Sequence, residues 1–98
     1  MPALTTKKVR QHLKTVPHWS LRAQTIIRSF KFEGFLESIA FVNRIARQAQ
    51  KMNHHPDIVI RFNKVTLKLT THDEGGITEK DFSLAQQGDA VFAKYFAP

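Results

Sequence analysis

Three of the five histidines in this sequence stand where the chain has to change direction. His54 and His55 come immediately before Pro56, and His72 comes just ahead of the Gly75–Gly76 pair. Imidazole has an unperturbed pKa of about 6.5, so near neutral pH it can either give or take a proton. Three imidazoles at one place would suit a reaction that delivers one proton and removes another. Two other readings compete. Adjacent histidines can cap a helix C-terminus, where a protonated ring gains about 0.3–1 kcal/mol from the helix dipole. They can also bind metal, but ligand pairs need i,i+4 spacing on a helix or i,i+2 on a strand, with a position left open. Neither the His54–His55 pair nor any carboxylate spacing here supplies that frame, so no metal is expected.

Two further side chains belong to the same argument. Asp81 lies three residues after Thr78, a variant of the capping box in which the carboxylate closes on the first turn of a helix. Gln50 lies four residues before His54 and shares a helix face with it if the helix runs that far. His12 and His18 lie among basic residues with no acid nearby and read as surface or packing residues. There is no cysteine, hence no disulfide, thiolate nucleophile or iron–sulfur ligand. There is likewise no Gly-rich phosphate loop, Rossmann fingerprint or G-x-S-x-G elbow, and Gly75–Gly76 signals only a turn.

The elements that must position these groups follow from periodicity. Residues 5–16 read as a short helix with Thr5 or Thr6 as its cap, Val9, Leu13 and Val16 on one face, and Pro17 as its stop. Trp19–Arg22 and Thr25–Phe32 read as two strands joined by a tight turn. In the second, Ile26, Phe30 and Phe32 point one way, with Arg28 as an unexplained polar member of that face. A long helix over 34–53 places Phe35, Ile39, Val42, Ala46, Ala49 and Met52 on a stripe. Ile58, Ile60 and Phe62 alternate as a third strand, and Val65, Leu67 and Leu69 as a fourth, around an Asn63–Lys64 turn. A last helix runs from Thr78 to about Phe96, with Phe82, Ala85, Phe92 and Phe96 on one stripe. The order α-β-β-α-β-β-α predicts an α+β fold, a four-stranded antiparallel sheet with three helices packed on one face. In such a sheet the third and fourth strands are hairpin neighbours. The start of one then lies beside the end of the other, which brings His54 and His55 next to His72.

Composition sets the outer bounds. Ninety-eight residues fit one domain, residues 1–98, and 42% apolar content is ordinary for a folded chain. No stretch approaches the roughly 18 apolar residues of a membrane span, and the polar, basic start is unlike a secretory signal, so a cytoplasmic location is expected. All of the net charge of +7 falls in residues 1–32, which hold seven bases and no acid. Such asymmetry suits either a solvated face or an anionic partner such as nucleic acid. Nucleic acid is the weaker reading, because no exposed aromatics interleave with these cations.

Taken together, Gln50-Lys51-Met52-Asn53-His54-His55-Pro56-Asp57, Phe62-Asn63-Lys64-Val65, Thr70-Thr71-His72 and Gly75-Gly76-Ile77-Thr78-Glu79-Lys80-Asp81-Phe82 resemble the pterin-4a-carbinolamine dehydratases. These are also known as dimerisation cofactors of a homeodomain transcription factor. The resemblance implies three helices on a four-stranded antiparallel sheet. It also implies homodimers that join their sheets edge to edge and often pair into homotetramers. The implied reaction is dehydration of a 4a-hydroxytetrahydropterin to the quinonoid dihydropterin, in pterin recycling, with no cofactor. By position, His54, His55 and His72 match the family's pterin-site histidines and Asp81 its supporting acid. On this reading His54 and His72 exchange protons, His55 positions the pterin and Asp81 orients a histidine. The sequence departs from the family at Gln50, where an acid is usual, and at Ile58, where an aromatic is frequent. An amide can hydrogen-bond but cannot carry charge or take a proton. The alternative is therefore a catalytically weak relative that acts as a binding or assembly factor, as other members do in transcription or RuBisCO assembly.

Overall fold

A computed structural model describes residues 2–97; Met1 and Pro98, the two ends of the expected domain, lie outside the described residues. Helix α1 (Thr6–Leu13) is followed by strands β1 (Ser20–Arg22) and β2 (Thr25–Lys31), helix α2 (Phe35–Met52), strands β3 (Asp57–Arg61) and β4 (Lys64–Leu69), and helix α3 (Glu79–Tyr95). The strands form one antiparallel sheet in the order β1-β2-β4-β3, so the two hairpins meet along β2 and β4. The expected α-β-β-α-β-β-α order and α+β architecture are those observed.

Period-two alternation decides which sheet face is covered. Ile26 and Phe30 of β2 and Val65, Leu67 and Leu69 of β4 are buried, whereas Lys31, Lys64 and Lys68 face solvent. Five phenylalanines fill the space between this face and the helices. The Phe30 and Phe41 rings lie 4.7 Å apart, and Phe32 meets Phe92 at 5.4 Å and Phe96 at 5.4 Å, both edge-on. Such aromatic pairs add about 0.5–1.5 kcal/mol each beyond the area they bury.

Arg28, the odd polar residue on the covered face of β2, has a partner. Its Nη1 donates to Asp89 Oδ1 of α3 at 2.6 Å, and its guanidinium lies 4.2 Å over the Phe30 ring. Trp19 Nε1 donates to the same oxygen at 2.8 Å. One of the cations of the basic first third is thus spent inside the fold.

Several local expectations need correction. Helix α1 ends at Leu13 rather than near Val16, because the amides of Lys14, Thr15 and Val16 turn to carbonyls three residues back and tighten the chain ahead of Pro17. The buried face of α2 is Ser38, Phe41, Ile45 and Ala49, leaving Ala46 exposed and Phe35 half exposed. The hairpin after β3 turns at Phe62–Asn63, one residue early. Phe62, at φ 51°, is 68% exposed and does not continue the inward alternation.

Candidate active site

The C-terminus of α2 sets the first two histidines. Asn53 adopts the left-handed conformation (φ 51°, ψ 43°), which Asn tolerates better than most residues. Its amide and that of His54 close on the last carbonyls of the helix, His54 N to Ala49 O at 3.0 Å. The helix is therefore capped by backbone, and the two imidazoles are released from that duty. This reversal of direction sends His54 inward and leaves His55 exposed.

His54 is 8% exposed, and its Nε2–H donates to Asp81 Oδ1 at 2.5 Å. Asp81, fully buried on the first turn of α3, accepts three hydrogen bonds on its two oxygens. Its Oδ2 accepts from the Thr78 backbone N–H at 2.9 Å, which closes the capping box, and from Thr71 Oγ1–H at 2.8 Å. Thr71 Oγ1 in turn lies 2.8 Å from Thr78 Oγ1, which accepts from Lys80 N at 3.3 Å. Every acceptor direction of the carboxylate used here meets a donor, which is what a buried anion requires. Asp81 thus caps its helix, as its spacing from Thr78 predicts, and also accepts a hydrogen bond from the His54 ring.

Past Leu69 the chain reaches His72 through an isolated bridge, Thr71 to Gly76, enclosing a single 3-10 turn at His72–Glu74. Gly75 closes this turn at φ 72°, a conformation that a side chain would strain. His72 is exposed at the head of that turn. The result is a cleft of about 210 Å³ lined by Asn53, His54, His55, Thr70, Thr71, His72 and Asp73. The three histidines meet there, as the hairpin argument requires, and no large hydrocarbon side chain fills it. Thr70 and His72 also line an adjoining hollow of about 470 Å³, walled by Ala23 and Gln24 of the β1–β2 turn and by Thr25 at the start of β2. By contrast, the described residues that line the hollow between the N-terminal segment and Ile77 include no titratable side chain.

Gln50 is placed differently from the expectation. Because α2 ends at Met52, the face shared by Gln50 and His54 is interrupted. Gln50 Oε1 accepts instead from His55 Nε2–H at 3.0 Å, on the exposed side of the site. Among the described residues, Nδ1 of His54 and of His55 makes no hydrogen bond. His12 packs against the Phe82 ring at 5.0 Å and His18 is exposed, the surface and packing roles expected of them. Thr71 is the residue that sequence reasoning misses, since a threonine bridging ten positions to Asp81 leaves no periodic signal.

Residues 2–91 match the family model described as Pterin 4 alpha carbinolamine dehydratase. Among relatives named after pterin-4-alpha-carbinolamine dehydratase, one from Acidobacterium capsulatum is 46% identical, over 93% of this chain and 99% of its own. Another, from Picosynechococcus sp., is 50% identical over 90% of this chain and 96% of its own. Among solved structures, a transcriptional coactivator/pterin dehydratase from Brucella melitensis superposes with a TM-score of 0.88 at 33% identity, covering 91% of this chain and 97% of that one. A pterin dehydratase-like protein identified as a RuBisCO assembly factor of the alpha-carboxysome matches with a TM-score of 0.61 at 20% identity, over 74% of this chain and 84% of its own, a likeness of fold.

Proposed function

Because the chain belongs to the pterin 4 alpha carbinolamine dehydratase family, we propose that it dehydrates a 4a-hydroxytetrahydropterin to the quinonoid dihydropterin by histidine general acid–base catalysis, as one domain and within pterin recycling. The single observation that carries this reading is the convergence of His54, His55 and His72 on one cleft, with His54 tied to a buried carboxylate.

The chemistry asks for two proton transfers. The C4a–O bond breaks as the departing hydroxyl receives a proton and leaves as water. The proton on the adjacent ring nitrogen is removed, and its electron pair forms the new C=N bond. His54 takes the second role. Its Nε2–H is committed to Asp81, so Nδ1 is the acceptor, and the carboxylate stabilises the imidazolium that results. His72, exposed and within reach of solvent, delivers the proton to the leaving oxygen. His55, held by Gln50, positions the pterin. Acid–base help of about 10²–10⁴-fold is worth roughly 3–5 kcal/mol of barrier, enough for a substrate already prone to lose water.

The test is direct: purified protein is added to freshly generated carbinolamine and absorbance is followed against the spontaneous rate. Saturable acceleration that falls to background in His72→Ala supports the assignment; full turnover in that variant overturns it.

Self-association belongs to the same proposal. Among the described residues the edge strand β3 is unpaired on its outer side, and Val59, Ile60 and Phe62 at that edge are substantially exposed. An unprotected apolar edge invites another strand, and a homodimer joined along β3, able to pair into a tetramer, would cover it. Light scattering should give a dimer or larger species, and Ile60→Lys should shift it toward monomer with the circular dichroism kept.

A second reading, a binding or assembly role with little turnover, draws on Gln50, which offers His55 no charge, and on the coactivator name of the Brucella melitensis structure. A folded protein that leaves the spontaneous rate unchanged would select it.

A further inference from the structure

Away from the histidine cleft, the outer surfaces of α2 and α3 meet in a groove of about 300 Å³ lined by Arg44, Arg47, Gln48, Lys51, Ala90, Val91, Lys94 and Tyr95. Four of these are cations, and none of the lining residues carries a carboxylate. Three of the cations stand on α2 at i, i+3 and i+7, so Arg44, Arg47 and Lys51 form one row along about 10 Å of helix. Like charges at this spacing oppose one another, and among the described residues none of the four engages a carboxylate. Arg28, in contrast, is neutralised internally by Asp89. Ala90 and the half-buried Val91 keep the α3 wall low between Lys94 and the row opposite.

One end of the groove is already organised. The Arg44 guanidinium lies 3.7 Å over the Tyr95 ring, and Lys94 Nζ is 5.2 Å from the same ring. A guanidinium stacked in this way keeps its planar fork of donors while losing conformational freedom. The Tyr95 phenol is held below its ordinary value, chiefly by a hydrogen bond from Lys94 and by that ammonium's charge, with Arg44 adding to it. The local field at this end is therefore one that favours negative charge.

We propose that the α2–α3 groove is a binding site for a small oligophosphate, a ligand with two or more linked phosphates such as the tail of a nucleoside di- or triphosphate. Guanidinium forks bind phosphate oxygens in pairs, and ammonium groups add point charge. A short row of cations faced by a further cation across a shallow, small-residue floor matches a compact chain of charges. The groove sits at the lower end of the volume range of small-molecule sites, about 300–1,000 Å³, which favours a compact ligand over an extended strand. This inference concerns surface that the dehydration chemistry does not use, and it stands or falls independently of that reading.

The test uses the full chain and sodium tripolyphosphate, followed by calorimetry and by backbone amide shifts. The expected result is one saturable site per chain, with the shifts concentrated on residues 44–51 and 90–95. Arg47→Gln with Lys51→Gln, which keeps good helix formers on α2, should weaken binding about tenfold or more, some 1.4 kcal/mol. Dehydration turnover should stay at the wild-type value. The control, Lys31→Gln with Lys64→Gln, removes two exposed cations that face each other across the outer sheet surface. Equal weakening in the control, shifts spread over the whole basic surface, or equal displacement by sulfate at matched ionic strength would each overturn the proposal as charge screening. A single-stranded oligonucleotide that binds the same residues far more tightly than tripolyphosphate would also overturn it, in favour of a nucleic-acid surface.

Discussion

Asp81 and Asp89 stand about two turns apart on α3, and each carboxylate reaches a partner supplied by a distant part of the chain. Asp89 accepts from Arg28 and Trp19, Asp81 from His54, Thr71 and the Thr78 backbone. The difference lies in what each partner can do. Arginine has no ring nitrogen free to accept a proton and serves only as a donor, so the Arg28–Asp89 pair joins β2 to α3. A histidine ring nitrogen can accept a proton in a reaction, so in the proposed mechanism His54 takes up a proton while the carboxylate stays in place. The same acid on the same helix is a structural anchor in one case and, in the proposed mechanism, the support of a proton-accepting ring in the other.

The largest expected effect separates the two regions most sharply. His54→Ala removes the proposed base and should lower turnover by about 10²–10⁴-fold, as read by stopped-flow absorbance against the spontaneous rate. Because the ring is buried and its loss leaves Asp81 Oδ1 without its donor, urea unfolding should also show a cost of about 1–3 kcal/mol, and turnover is compared per folded molecule. Near wild-type turnover would break the assignment of His54.

Asp81→Asn comes next. An amide supplies a single acceptor oxygen, which the Thr78 N–H and Thr71 hydroxyl would claim, and turns its NH₂ group toward His54. The ring would then have to accept at Nε2 and carry its proton on Nδ1, the wrong atom for a base. Turnover should fall by about 10²-fold, and thermal or urea unfolding should show a loss of about 1–3 kcal/mol from the disturbed buried network. Loss of stability with turnover kept would make Asp81 an anchor like Asp89.

Arg28→Met makes the complementary test. It keeps the hydrocarbon stem over Phe30 while leaving Asp89 with only the Trp19 donor. The pair is partly exposed, with side-chain exposures of 12% and 23%, so the cost is discounted from that of a fully buried pair to about 1–3 kcal/mol. Against the roughly 5–15 kcal/mol of a typical domain that is a large share, measurable by urea denaturation. Turnover per folded molecule should be unchanged.

How far these regions could be read in advance differs for physical reasons. Element order was legible because apolar residues recur at every second position along β2 and β4, Arg28 apart, and Pro17, Pro56 and Gly75 interrupt the pattern where the chain turns. The meeting of His72 with His54 and His55 followed from hairpin geometry alone. The buried face of α2 followed only in part: Ala49 is buried and Val42 and Met52 pack against the core, but Phe41 and Ile45 were not on the expected stripe, since apolar residues lie nearly all round that helix and period alone cannot choose between stripes. The stripe that is buried includes Ser38, a polar residue made acceptable by its own bond to Gly34 O at 3.1 Å. Arg28 could be seen as anomalous on its strand, but Asp89, sixty-one positions away, could not be chosen as its partner from spacing. The pairing of Gln50 with His55 depends on a single left-handed residue, Asn53, which redirects everything after it.

The smallest effect sharpens the comparison at its exposed end. Gln50→Glu replaces a neutral acceptor by a charged one beside His55, giving this ring the kind of partner that His54 has in Asp81, but in solvent rather than in the interior. An exposed pair of this sort is worth about 0.2–1 kcal/mol, so the midpoint of urea unfolding should barely move. If His55 only positions the pterin, the same energy bounds the gain in turnover to roughly fivefold or less, since about 1.4 kcal/mol is tenfold in rate. A gain of a hundredfold would mean that His55 moves a proton in the reaction. The division between a buried, carboxylate-backed base and an exposed, amide-held positioning residue would then have to be redrawn with His55 in the first place.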